Sequence, residues 1–118
     1  MKKLIFAVMA VMLVLTAAVG AAQFEKTAQY TDGMFSDVQN GAWYKDYVQS
    51  AYELTFMNGT GEGKFSPDGN VTLAQAVTVA ARVNAIYNGK TSPANSTSGA
   101  WYDSYVAYCL ENGIVQKR

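Results

Sequence analysis

The sequence predicts an all-α fold, and three features carry that prediction. Apolar and aromatic residues recur at three- and four-residue spacings over residues 43–57, Thr72-Leu73-Ala74-Gln75 has the form of a capping box, and the first helix is repeated from Gly99 onward. The first is the signature of an amphipathic helix, the second marks a helix start, and the third points to a repeat architecture.

The chain begins Met1-Lys2-Lys3 and continues into an apolar run closed by small residues, with Val19 and Ala21 or Gly20 and Ala22 at the minus-three and minus-one positions. A positive n-region, an apolar h-region and a small-residue end describe a secretory signal peptide over residues 1–22, cut after Ala21 or Ala22. The alternative is an uncleaved anchor, since the uncharged run from Leu4 to Phe24 is just long enough to span a bilayer. Both place the rest of the chain outside a bacterial cytoplasm, and after cleavage no stable membrane span is expected. Residues 23–34 are polar, lack a period and contain Asp32-Gly33, and are expected to form a mobile lead.

Ordered structure is expected to begin at Phe35-Ser36-Asp37-Val38, with Asp37 or Ser36 able to cap a short helical turn. In the first helix Tyr44, Tyr47, Val48, Ala51, Tyr52 and Leu54 form the apolar face, and Asn58-Gly59 is the expected stop, with Gly59 suited to the left-handed position. The loop that follows is rich in glycine, yet it carries Phe65, which should pin it to the core. Ser66-Pro67-Asp68-Gly69 fits a type I turn. Thr72 and Gln75 then start the second helix, whose Leu73, Ala76, Val77, Ala80, Val83 and Tyr87 make a stripe rich in small residues that permits close helix approach. Asn88-Gly89 ends it, and residues 91–98 have linker composition.

From residue 99 the chain repeats residues 41–59 at an offset of 58, with seven of nineteen positions identical, among them Trp43/Trp101, Tyr44/Tyr102 and Tyr47/Tyr105. Units of this kind normally need neighbours to bury their faces. Cys109 takes the place of Ala51 on the buried face, where a small core residue is the stronger expectation and an intermolecular disulfide the alternative.

Composition removes several function classes. Lys2 and Lys3 subtracted from nine basic residues leave seven against nine acidic ones, which speaks against nucleic acid as a partner. Histidine is absent, so histidine-based catalytic triads and most zinc sites are excluded. The glycines near residue 60 lack the lysine and serine of a phosphate-binding loop, and Glu62 and Asp68 lack calcium-loop spacing. Asp37, Asp46, Asp103 and Glu111 could supply carboxylates, but each reads as a capping or solvated residue, and a chain this small seldom forms a deep cleft. No catalytic residue, metal site or cofactor is expected, and the chain reads as a non-enzyme. The binding candidates are the tryptophans, whose indole faces can stack on sugar rings or pack beneath a neighbouring loop.

Phe35-x-Asp37-Val38, Trp43-Tyr44, Val48, Ala51, Gly59, Phe65-x-Pro67 and Val71-Thr72-x-Ala74 stand in register, followed by Trp101-Tyr102 one repeat later. With that order the chain resembles the S-layer homology family, residues 35–90 as one full motif and residues 99–118 as the front of a second. The resemblance implies helix-loop-helix repeats packed about a pseudo-threefold axis. It also implies a secreted module at the cell wall or cell surface that binds wall polysaccharide non-covalently in grooves between motifs. Transferred position by position, the polysaccharide contacts are Asp37, Trp43 and Gly59, with Trp101 in the second copy. The family's Thr-Arg-Ala-Glu signature reads Thr72-Leu73-Ala74-Gln75 here, so leucine replaces the arginine. One motif and a third cannot close a threefold bundle, which predicts a homo-oligomer, a partly unfolded chain or a fragment. The rival function is self-association or protein binding without sugar affinity.

Overall fold

The computed structural model describes residues 24–117 and is all-α, with helices α1 (Lys45–Glu53), α2 (Leu73–Tyr87) and α3 (Asp103–Glu111). Among these residues there is no strand, only an isolated bridge between Gly61 and Lys64. The signal peptide expected over residues 1–22 lies outside the described residues. No helix among the described residues is long and apolar enough to cross a membrane.

All three helices end in the same way. In α2 the amide of Lys90 donates to the carbonyl of Ala85 at 2.8 Å and that of Gly89 to Ile86 at 3.0 Å, with Gly89 left-handed at φ 65°. In α3 Ile114 donates to Cys109 at 2.8 Å and Gly113, φ 67°, to Leu110 at 3.3 Å. These are Schellman endings, which satisfy carbonyls the last turn would otherwise leave open. α1 ends likewise, but on Thr55, φ 60°, whose amide reaches Tyr52 at 2.9 Å while that of Phe56 reaches Ala51, also at 2.9 Å. The helix therefore stops at Glu53, short of the expected residue 57, and Asn58-Gly59 is not its terminator. A β-branched residue in the left-handed region runs against local preference, which is why the sequence conceals this stop.

The capping box forms as expected. Thr72 Oγ1 accepts from the Gln75 amide at 3.2 Å, and the Thr72 amide donates to Gln75 Oε1 at 2.9 Å. The buried face of α2 matches the predicted stripe only in part: Val77 packs on the core shared with α3, but the stripe's ends do not. Thr78, Ala81 and Ala85 are buried, whereas Leu73 is 81% exposed and Tyr87 is also exposed. Ala81, with no exposed surface, packs against Tyr105 and Cys109 of α3, and Ala85 is fully buried as well. Thr78 tolerates burial because its hydroxyl donates to the Ala74 carbonyl one turn back, at 2.8 Å. Small residues do permit close approach, as expected, but on a face that only partly overlaps the stripe.

A separate cluster surrounds α1, built from Tyr30, Phe35, Val38 and Val48. Phe65 packs on it with its ring 5.3 Å from that of Phe35, so the loop is pinned as predicted. Residues 24–34, expected to be a mobile lead, are tied along α1. The amides of Thr27 and Ala28 donate to the Glu53 carbonyl, Lys26 meets the Glu53 carboxylate at 2.6 Å, Asp32 meets Lys45 at 2.7 Å, and Tyr30 is buried. Cys109 is a fully buried core residue, as expected, and burial pushes its thiol up in pKa.

Candidate functional site

Between the two clusters runs a groove of about 880 Å³. One wall is the loop after α1, with Gly59, Thr60 and Ser66, and the other is Trp101, Tyr105 and Asn95 of the second copy and its approach. α2 contributes Arg82 to the groove, and the guanidinium joins the walls by donating to the Phe56 carbonyl at 3.3 Å and to the Tyr105 hydroxyl at 3.1 Å.

Asp37 shapes the loop wall. Its carboxylate accepts from the Phe65 amide at 2.9 Å and from the Ser66 amide at 2.7 Å. These hydrogen bonds, that of Phe65 foremost, hold its pKa below the ordinary value of 3.8. Asp37 thus caps a loop from a distance rather than a helix turn of its own, and both its oxygens are engaged behind the groove. Gly59, φ 91°, is required by packing as well as conformation. A Cβ there would sit 2.7 Å from both the Lys64 carbonyl oxygen and a Phe35 ring carbon. Its backbone lies at the groove edge, so no side chain intrudes.

The two tryptophans have the same local geometry and different surroundings. Trp43 sits edge-on to Tyr44 and Tyr47 with ring centroids at 5.6 and 6.4 Å, and Trp101 to Tyr102 and Tyr105 at 5.4 and 6.4 Å. The internal repeat is therefore three-dimensional. Trp101, 43% exposed, lines the groove, while Trp43, 82% exposed, does not. The reason lies in the partner helix: α2 covers the second copy, so Tyr105 is 1% exposed, whereas the equivalent Tyr47 is 71% exposed. Of the four residues expected to bind, Gly59 and Trp101 share the groove, Asp37 supports it, and Trp43 stands apart.

Arg82 and Asn95 were not anticipated as groove residues. Asn95 Oδ1 accepts from the Tyr105 hydroxyl at 3.0 Å, so the tyrosine accepts from Arg82 and donates to Asn95 in one directed chain. The signal for Arg82 was present: it is the single charged residue in the α2 sequence. Among the described residues no cluster of acidic, cysteine or histidine side chains is arranged to hold a metal ion.

Residues 35–77 match the family model of the S-layer homology domain. Domains of that family are non-catalytic cell-wall anchoring modules. The chain is also 28% identical over 95 residues to exoglucanase XynX of Acetivibrio thermocellus, an alignment covering 71% of this chain and 8% of that protein. The chain thus spans under a tenth of that relative's length. No solved structure matches the chain. Arg82, Asn95 and Trp101 lie beyond the matched segment, so the far wall of the groove comes from the second copy.

Proposed function

We propose that the chain is an exported, non-catalytic module that attaches to cell-wall polysaccharide at the cell surface by holding a sugar in the groove between its S-layer homology motif and the front of the second copy. The observation that carries this reading is the position of Trp101, half-exposed on one wall and facing the glycine-rich loop that Asp37 holds on the other. An indole face offers stacking area at little entropic cost, and the Thr60 and Ser66 hydroxyls opposite offer hydrogen bonds to sugar hydroxyls. The mature protein is expected to sediment with purified bacterial cell walls, and Trp101→Ala to sediment at least about tenfold less, a loss of the size produced by removing one stacked aromatic contact. Equal sedimentation of both proteins would remove Trp101 from the site.

A second reading is favoured by the bare Tyr47 face of α1 together with the exposed Leu73 and Tyr87 of α2. In the repeat, the equivalent of the Tyr47 face is covered by a helix. A second copy of this chain, contributing the outer face of its α2, would cover it here. Light scattering that gives a mass rising with concentration, and falling back to the monomer for Tyr47→Glu, is the expected result. A monomer at all concentrations would remove this reading and leave the first intact.

A further inference from the structure

Four of the seven asparagines precede a glycine, namely Asn40, Asn58, Asn88 and Asn112, and the structure divides these four pairs into two kinds. An asparagine followed by glycine is chemically labile, because glycine has no side chain to shield its nitrogen from the asparagine side-chain carbonyl carbon. The reaction needs both groups free to meet. At two of the pairs they are held apart. Asn88 Nδ2 donates to the Asn84 carbonyl at 2.8 Å while the Gly89 amide donates to Ile86 at 3.0 Å, and Asn112 Nδ2 donates to the Tyr108 carbonyl at 2.8 Å while the Gly113 amide donates to Leu110 at 3.3 Å. Each Schellman ending thus engages the side chain one turn back and the nitrogen that would attack it.

Asn58 has neither restraint. It follows the Thr55 stop outside any helix, and both Asn58 and Gly59 are exposed. Among the described residues the Asn58 side chain has no hydrogen-bond partner and the Gly59 amide donates to no carbonyl. Asn40 and Gly41 are also exposed and unengaged, in a turn that the Ala42 amide closes on the Gln39 carbonyl at 3.1 Å. Of these two open pairs, only Asn58 lines the groove.

We propose that Asn58 is a self-modifying site, which loses its amide to water without an enzyme and thereby rebuilds the loop wall of the groove. The Gly59 nitrogen bonds to the Asn58 Cγ, the bond from Cγ to Nδ2 breaks, and ammonia leaves with the proton that the glycine amide gives up. Water then opens the cyclic imide. Addition at the side-chain carbonyl breaks the newly formed bond and leaves aspartate on an unaltered main chain. Addition at the main-chain carbonyl breaks the original peptide bond and leaves isoaspartate, whose main chain runs through Cβ and is longer by one methylene. Either product puts a carboxylate at the groove edge, but isoaspartate also pushes on Gly59, where even an added Cβ would sit 2.7 Å from the Lys64 carbonyl oxygen and from Phe35. The loop has little slack to absorb this, since Phe65 is packed on Phe35. The inference goes beyond the polysaccharide reading and stands without it.

The test incubates the mature protein at mildly alkaline pH in water enriched in heavy oxygen, which marks each new carboxylate for mass spectrometry. Trypsin separates the four pairs into peptides 27–45, 46–64, 83–90 and 91–117. In the folded protein, peptides 46–64 and 27–45 should convert about tenfold or more faster than the other two, the factor expected when the reacting groups need not first break hydrogen bonds. In denaturant the four rates should converge, because the shared glycine then sets them. A 46–64 peptide that keeps its amide, equal rates in the folded protein, or rates that stay apart in denaturant would each overturn the site. The wall is tested in Asn40→Gln, where Asn58 is the open pair that remains. Its isoaspartyl form, isolated by anion exchange and identified with an isoaspartyl methyltransferase, should melt below the same protein carrying Asn58→Asp, which has the charge without the longer main chain. Equal midpoints would overturn the rebuilt wall.

Discussion

Asp37 and Thr55 show how single residues set the site. Asp37 satisfies two loop amides from nearly thirty positions away, so Asp37→Ala leaves the part-buried Phe65 amide without a partner and should cost about 1–2 kcal/mol at neutral pH. Because its folded-state pKa is depressed, the carboxylate's contribution is present above the unfolded-state value of about 3.9 and is lost as pH falls through the folded value. Thermal melts should therefore separate wild type from Asp37→Ala at pH 7, and the gap should narrow progressively as pH falls below the unfolded-state value. A constant gap would mean that the charge is not what holds the loop. At Thr55 the left-handed backbone is taken by glycine in the second copy, as Gly113. Thr55→Gly should stabilise the protein by about 0.5–1 kcal/mol and raise its melting midpoint by a few degrees, since the strain relieved exceeds the chain entropy added. A lower midpoint would show that the Thr55 hydroxyl, bonded to the Leu54 carbonyl at 2.7 Å, outweighs the strain.

At the scale of elements, the sequence was most legible where a polar group or glycine has one geometric use. Thr72 and Gln75 announced α2, Asn88-Gly89 announced its end, and Phe65 announced the pinned loop. Removing the cap with Thr72→Ala should lower stability by about 1 kcal/mol and shorten α2 at its start, seen as a lower melting midpoint and reduced helical signal. Faces were harder to read than boundaries. The apolar stripe through Leu73 and Tyr87 was the better hydrophobic pattern, yet packing against α3 selects the face with the smallest residues, where Thr78 hides its hydroxyl in its own helix. The order of the lead is hidden in the sequence for a related reason. Its contacts to α1 run through the Glu53 carbonyl and two ion pairs, and no period in the lead's own sequence reports them.

For the whole molecule, two small cores replace one. The first is stapled by the lead and the loop, the second is formed by α2 and the repeated front, and Arg82 and the Phe24 contacts to Phe56 and Tyr87 link them. Among the described residues α2 and α3 pack together while α1 packs against loops. The candidate site follows from that division, because this groove lies where the repeat front meets the preceding α2. Trp43 and Trp101 were equal in the sequence, and the presence of α2 beside only the second makes them unequal. That inequality decides which indole meets a ligand. Tryptophan fluorescence of the single-tryptophan proteins Trp43→Phe and Trp101→Phe, titrated with wall polysaccharide, measures it directly. Trp43→Phe, which keeps Trp101, should show a saturable spectral shift, and Trp101→Phe should show none; a shift confined to the protein that keeps Trp43 would contradict the account.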